Sequence, residues 1–200
     1  MRTWMVVGCV VVAALAAGAD EPQTEELRGG RFVPVSKAAT VPVVDPTLVR
    51  VEELIQQRRF SSARDMCVNW LLANKASPQR DRGLYLEACA LYGYGNRMKA
   101  FFYLDELMDE YPESTLFYQA LEKQYEIADA YLNGYKRRLF GIPLLSATHE
   151  GIEMMYRIQQ RSPGSPLAAK ALLRTADYYF KDGQYDLSAD AYAAYARSYP

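Results

Sequence analysis

The sequence is poor in the residues that most catalytic and metal sites need. Its 200 residues include one histidine and three cysteines, which are too scattered to match a zinc-ligand spacing, so we predict no metal and no cofactor. A Gly-x-Ser-x-Gly nucleophile motif, a Gly-rich phosphate loop and a His-Glu-x-x-His motif are all absent. We interpret His149, beside Glu150 at a helix start, as a surface residue. The sequence therefore favours a protein that is not an enzyme.

Neither sign of charge is in large excess. The chain carries 23 basic and 24 acidic residues, for a formal net charge of −1, which argues against a nucleic-acid partner. The carboxylate pairs Asp105/Glu106 and Asp109/Glu110 lie at helical spacing, and we predict that they form a solvated helix face.

Long apolar runs are absent except at the N-terminus. Arg2 precedes an uncharged apolar segment, residues 4–17, and Ala17-Gly18-Ala19 matches a signal-peptidase site. We predict a signal peptide at 1–19 and export to the periplasm, at the inner face of the outer membrane. A retained anchor is the alternative, although the run is shorter than the about 20 residues that a spanning helix needs. Lipidation at Cys9 is disfavoured because too few apolar residues precede it.

The segment 20–46 has a different composition. Six glycines and prolines interrupt it, and its Val-Pro steps favour extended backbone. We predict an extended or disordered linker, with docking along a partner or the first helices as the alternative. Farther along the chain, Cys67 and Cys89 would permit one disulfide in an oxidising compartment. Two buried, reduced cysteines are the favoured interpretation.

Repetition is the strongest signal in the remainder of the chain, residues 47–200. Helix-ending prolines at positions 78, 112, 163 and 200 are separated by 34, 51 and 37 residues, and 34 residues is the tetratricopeptide period. The longest interval exceeds that period by 17 residues and predicts an insertion at 135–148. The predicted fold is all-α, a tetratricopeptide-repeat superhelix of antiparallel helix pairs with about three to four repeats. Its predicted units are 47–78, 79–114, 115–165 and 166–200.

The register inside the units supports this period. Counting back from Pro200 places apolar, small and aromatic residues where two helices of a repeat must approach closely. The positions in the last unit are Leu172, Ala176, Tyr179, Gly183, Tyr185 and Tyr192. For the third unit we predict one helix at about 115–134 and a second at about 149–160.

These motifs carry a family resemblance. From Leu48 to Pro200 the chain resembles the BamD (YfiO-type) tetratricopeptide proteins of outer-membrane assembly, most clearly over residues 171–185 and 191–200. The resemblance implies an adaptor in the machine that inserts β-barrel proteins, with that machinery or unfolded outer-membrane proteins as partners. Similar units in CpoB-type periplasmic coordinators, or in the helical scaffold of a cell-wall lytic enzyme, leave two alternatives. Because the sequence stops at Pro200 without a capping helix, we expect a fragment or an end completed by a partner.

The resemblance to tetratricopeptide arrays also implies where partners bind. The groove formed by the first helix of each repeat predicts a protein-binding site made of Arg82, Tyr85, Cys89, Tyr92, Lys170, Leu173, Asp177, Phe180 and Lys181. Packing of the tyrosines against a neighbouring helix is the alternative for Tyr85 and Tyr92. The insertion joins a basic triplet to an apolar segment and predicts a docking loop for a partner or a membrane surface, as against a loop folded onto its own helices. Its residues are Lys136, Arg137, Arg138, Phe140 and Ile142.

Overall fold

The computed structural model of the chain describes residues 25–28, 31–34, 44–139 and 142–199. These residues divide into two units, with the boundary after Val43. In the first unit, strands β1 (Glu25–Arg28) and β2 (Arg31–Pro34) form an antiparallel hairpin, within the segment that we predicted as an extended or disordered linker. The predicted signal peptide and Cys9 lie outside the described residues.

The second unit is a series of helices in which each packs against the next. Within the described residues it contains eight helices that form four successive pairs, and a short hairpin separates the two helices of the third pair. This arrangement confirms the predicted all-α array of antiparallel helix pairs. The pairs are α1 (Pro46–Gln56) with α2 (Phe60–Ala73), α3 (Arg80–Tyr94) with α4 (Arg97–Glu110), α5 (Phe117–Leu132) with α6 (Thr148–Arg161), and α7 (Pro166–Lys181) with α8 (Tyr185–Ser198). We call α1, α3, α5 and α7 the A helices, and the others the B helices.

Local sequence explains where several helices begin and end. The first and seventh helices start at a proline, and the residue before each accepts a hydrogen bond from a backbone N–H of the first turn: Asp45 from Thr47 and Ser165 from Ala168. Proline suits this position because a backbone N–H there would have no partner within the helix, so its absence costs nothing. The α3 helix ends at Gly95, whose φ of 94° is a left-handed conformation that glycine adopts without strain. Local sequence signals therefore mark the starts of α1 and α7 and the end of α3.

Close approach between neighbouring helices depends on glycine, as Gly83 and Gly151 show. A Cβ atom on Gly83 would lie 2.7 Å from the Trp70 ring, and one on Gly151 would lie 3.2 Å from the carbonyl oxygen of Ala128. Both distances are too short for an ordinary contact, so α3 can approach α2, and α6 can approach α5, only without side chains there. The core between the helices is formed mainly by Leu and Ala, with Met and Ile.

The insertion contains a hairpin between the two helices of the third pair. Strands β3 (Lys136–Leu139) and β4 (Ile142–Ser146) pair antiparallel, with an irregularity in register between Arg137 and Arg138. The flanking helices run over 117–132 and 148–161, against the predicted 115–134 and 149–160. The extra residues therefore lie between helices and do not interrupt one.

The prediction of a solvated face on α4 is wrong for Asp105. Asp105 is 7% exposed; its carboxylate lies 2.9 Å from Arg161 and 3.1 Å from Arg157, both on α6, and accepts a 2.7 Å hydrogen bond from the Gln124 amide. Asp109, one turn later, is exposed and pairs with Arg161. The helix that supplies both arginines follows about 50 residues later in the sequence, so α4 alone could not indicate that Asp105 is buried.

Asp45 also connects the first helices of the array. Besides capping α1, its carboxylate accepts a 2.9 Å hydrogen bond from the Trp70 indole of α2, and its backbone N–H donates to the Gln79 side chain. The hydrogen bond from Trp70 is the main reason that the pKa of Asp45 lies below its usual value. One residue thereby joins α1, α2 and the turn before α3.

We expect Asp45→Ala to lower the free energy of unfolding by about 1 kcal/mol at neutral pH, the usual cost of losing a helix cap. A lowered pKa means that the ionised form stabilises the fold above the pKa of the unfolded state, and that this contribution is lost as the pH falls through the folded-state pKa. The difference between the wild type and the variant should therefore shrink in acid. Urea denaturation at pH 7 and pH 3 measures it, with the exposed Asp190→Ala as control; a pH-independent difference would contradict this account.

Candidate functional site

The A helices meet along one continuous line of side chains. The first and third helices contact each other, as do the fifth and seventh. Arg82 of α3 pairs with Glu52 of α1 at 2.5 Å, and Arg174 of α7 pairs with Asp129 of α5, also at 2.5 Å. Charged pairs of this kind connect successive repeats on the same side of the array.

Tyrosine and cysteine occupy the middle of this line. Tyr85 and Cys89 lie one turn apart on α3 and influence the pKa of each other, and Glu126 of the next A helix lies close enough to influence both groups. Burial is the main cause that raises the pKa of Tyr85 and of Cys89. Both groups are therefore neutral at physiological pH, and the tyrosine presents a half-buried ring with a polar tip.

Cations lie over the tyrosine rings of the A helices. The Lys123 ammonium is 5.2 Å from the Tyr92 ring centre, and the Lys170 ammonium is 4.5 Å from that of Tyr125. Such cation–π contacts are worth about 0.5–1 kcal/mol at exposed sites. They hold long basic side chains over aromatic surface while their ammonium groups keep donors for other partners.

We call this line of side chains the A-helix face. It combines half-buried aromatic rings with charges of both signs, and it runs across all four A helices. Its members are Glu52, Arg82, Tyr85, Cys89, Tyr92, Lys123, Tyr125, Glu126, Asp129, Lys170 and Arg174.

The structure brings together most of the residues predicted from the sequence. Arg82, Tyr85, Cys89, Tyr92 and Lys170 lie on the A-helix face, where the tyrosine rings also pack against the core. Both interpretations of these tyrosines, as packing residues and as surface residues, therefore describe part of each ring.

The other predicted residues of the last unit lie near the C-terminal half of α7. Asp177 is exposed and accepts a 2.5 Å hydrogen bond from the Tyr192 hydroxyl of α8. The Phe180 ring is 58% exposed and packs edge-to-face on Tyr185 at the start of α8. Leu173 is half-buried and Lys181 is exposed. This end of the predicted groove is thus shared with the B helix of the same pair.

The sequence interpretation missed the contribution of α5. Lys123, Tyr125, Glu126 and Asp129 all lie on the A-helix face, but the insertion broke the count of repeat positions in the third unit. The signal that was available is the spacing of these side chains at three- and four-residue steps along one helix.

The two cysteines of the array lie in different environments. Cys67 is buried on α2, where its thiol donates to the Gly83 carbonyl oxygen, and Cys89 lies beside Tyr85. Both are free thiols in the structure. His149 is exposed at the start of α6. The predicted docking loop coincides with the β3–β4 hairpin, and its Phe140 lies outside the described residues.

Comparison with known proteins assigns no function to this surface. No protein-family model matches the sequence, and no curated protein matches it significantly. None of the helices in the described part of the chain has both the length and the hydrophobicity of a membrane-crossing segment.

Proposed function

We propose that the chain is a non-catalytic adaptor of the bacterial envelope that binds other proteins along its A-helix face. More specifically, we propose a BamD-like component of outer-membrane β-barrel assembly, exported to the periplasm by cleavage after Ala19 and placed at the inner face of the outer membrane. The resemblance of residues 48–200 to that family supports this assignment, as does the repeated helix-pair fold.

One observation carries the proposal: a line of charged side chains across the four A helices includes half-buried tyrosine rings on α3 and α5. An extended polypeptide presents alternating side chains and free backbone donors and acceptors at regular intervals. Half-buried rings can stack on its aromatic side chains, while the Lys170 ammonium, which lies over the Tyr125 ring, keeps donors for its acidic groups. Unfolded β-barrel segments alternate apolar and polar residues and carry aromatic girdles, which is the chemistry that this face complements.

The rigidity of the face supports the same role. The tyrosine rings pack against the core, and the pairs Arg82–Glu52 and Arg174–Asp129 fix side chains between helices. A surface ordered before binding loses less conformational entropy on association than a mobile one. Binding therefore requires little rearrangement of the array itself.

Site-specific photo-crosslinking in cell envelopes tests the proposal. Crosslinkers replace Tyr85 and Tyr125 on the A-helix face, and a matched control replaces Leu72, which is 64% exposed on the B helix α2. We expect the first two positions, and not the third, to capture the barrel-assembly protein or nascent barrels.

Two outcomes would contradict the proposal. Capture only of Tol-Pal components or cell-wall enzymes at Tyr85 and Tyr125 would replace the barrel-assembly role by that of a CpoB-type coordinator or a lytic-enzyme scaffold. Equal capture at Leu72 would remove the assignment of the A-helix face as the binding surface.

A further inference from the structure

A recess opens beside the turn between α3 and α4, at one edge of the A-helix face. It has a volume of about 420 Å³. We call it the turn-edge recess; its lining residues are Tyr94, Gly95, Asn96, Arg97, Met98, Lys99, Tyr131 and Tyr135. Two of these residues are cationic and none is acidic.

The walls of the recess are held in place by hydrogen bonds. The Tyr135 hydroxyl, just beyond α5, donates to the Gly95 carbonyl oxygen at 2.8 Å. Asn96 caps α4 by accepting a hydrogen bond from the Lys99 backbone N–H. The Tyr131 and Tyr135 rings meet edge to face at 5.4 Å. The recess is therefore a built feature at the junction of two repeats.

Arg97 is the unusual residue in this recess. Its guanidinium carbon lies 3.9 Å from the Tyr135 ring centre and 5.1 Å from that of Tyr92. Its Nε is buried and has no hydrogen-bond partner, and within the described residues the guanidinium forms no ion pair.

The other half-buried arginines of the array show what is missing. Each of them pairs with a carboxylate that the fold supplies. These pairs are Arg64–Asp65, Arg80–Glu106, Arg82–Glu52, Arg161–Asp105 and Arg174–Asp129. Arg97 has instead two aromatic rings beside its guanidinium and an open recess in front of it.

This geometry fits an anionic oxygen group. Stacking on tyrosine occupies the face of a guanidinium but leaves the N–H donors at its edge unpaired, and such donors match the two oxygens of a carboxylate. A partly buried charge is costly until it is paired. Lys99 adds a second cation at the same recess.

The position of the recess indicates the source of that group. Tyr92 contacts both Arg97 in the recess and Lys123 on the A-helix face, so the two surfaces are continuous. We propose that the turn-edge recess binds the carboxylate of an Asp or Glu side chain in the polypeptide that lies on the A-helix face. This assignment rests on the proposed function, because it takes the ligand to be that partner.

The recess can be tested without knowing the partner. The probes are the capped tripeptide acetyl-Glu-Val-Glu-amide, its Gln-Val-Gln counterpart and inorganic phosphate, titrated into the full mature chain. The readout is the Nε–Hε NMR signal of Arg97, identified by its absence in Arg97→Lys. We expect a saturable shift with the Glu peptide and none with the Gln peptide. No shift with the Glu peptide, or a tighter response to phosphate, would overturn the assignment.

A second test measures the affinity of the partner recovered by crosslinking for variants of the recess. Because lysine cannot reproduce the paired N–H donors of a guanidinium, Arg97→Lys should weaken partner binding by about 10-fold or more. The matched control is Arg80→Lys, because Arg80 is also half-buried but already pairs with Glu106 and does not line the recess. Unchanged partner affinity in Arg97→Lys would overturn the recess proposal alone, whereas failure to capture any protein at Tyr85 and Tyr125 would overturn the proposed function.

Discussion

Replacing Glu87 by Gln is expected to raise the free energy of unfolding by about 2 kcal/mol at pH 8, and by much less at pH 4. Glu87 lies on α3 and is 1% exposed, and its Oε2 has no hydrogen-bond partner. Burial raises the pKa of this carboxyl from 4.5 to about 8. The folded chain therefore holds a neutral acid where the unfolded chain would ionise.

The sign of the pH dependence follows from this shift. A pKa that is higher in the folded state means that the stabilising effect of protonation is complete below the unfolded-state pKa and is lost as the pH rises from about 4.5 to about 8. Several groups face Glu87: Arg64 and Lys99 favour its ionised form, while Asp65 opposes it. Burial outweighs all of them.

Urea denaturation of the wild type and of Glu87→Gln between pH 4 and pH 8 measures this effect. The wild type should lose stability across that range, and the variant should lose much less because glutamine does not titrate. Glu122→Gln, an exposed change on α5, is the control. A parallel pH dependence in the wild type and Glu87→Gln would contradict the assignment of Glu87 as a buried, protonated acid.

Replacing Asp105 by Ala is expected to lower the free energy of unfolding by about 3 kcal/mol, the usual cost of removing one partner from a buried ion pair. Asp105 is 7% exposed. Its loss would leave the fully buried Gln124 amide without its 2.7 Å acceptor, and Arg157 and Arg161 without their shared carboxylate.

The matched control is Asp109→Ala. Asp109 pairs with the same Arg161 at 2.7 Å, and that hydrogen bond lowers the pKa of Asp109. Because Asp109 is exposed to solvent, its removal should cost less than about 1 kcal/mol. Thermal and urea unfolding compare the two variants. Similar losses of stability would show that burial of Asp105 does not set the strength of this network.

The sequence alone predicts the helix pairs because their start and stop signals are local. Pro46 and Pro166 begin A helices, Gly95 and Gly183 follow the ends of A helices, and the proline spacing reports the period. The proline spacing also located the insertion between the helices of the third pair. It did not predict the β3–β4 hairpin, which depends on pairing between two segments rather than on a helical or proline signal.

The charged interior was not predictable in the same way. Asp105 and Glu87 have the same residue types and spacings as exposed helix positions. Asp105 is placed inside only by the packing of α5 on α4 and by the arginine side chains of α6, and Glu87 only by the packing of α2 on α3. The candidate site shows the same division. Tyr85 and Tyr92 followed from the repeat register, whereas Tyr125 and Lys123 became part of the A-helix face only when α5 was placed in space. The unpaired state of Arg97 is likewise a property of the assembled turn.

We propose that the A-helix face binds the partner of this protein. The most direct test is the dissociation constant of the partner captured at Tyr85. It is measured for the wild type, for a Tyr85→Ala/Tyr125→Ala double variant and for Leu72→Ala on the B helix α2. Only variants that retain the helical content of the wild type are compared. We predict that the double variant weakens binding by about 10-fold or more, as expected for aromatic residues at an interface, and that Leu72→Ala changes it by less than about twofold. Equal affinity of the wild type and the double variant would contradict the claim.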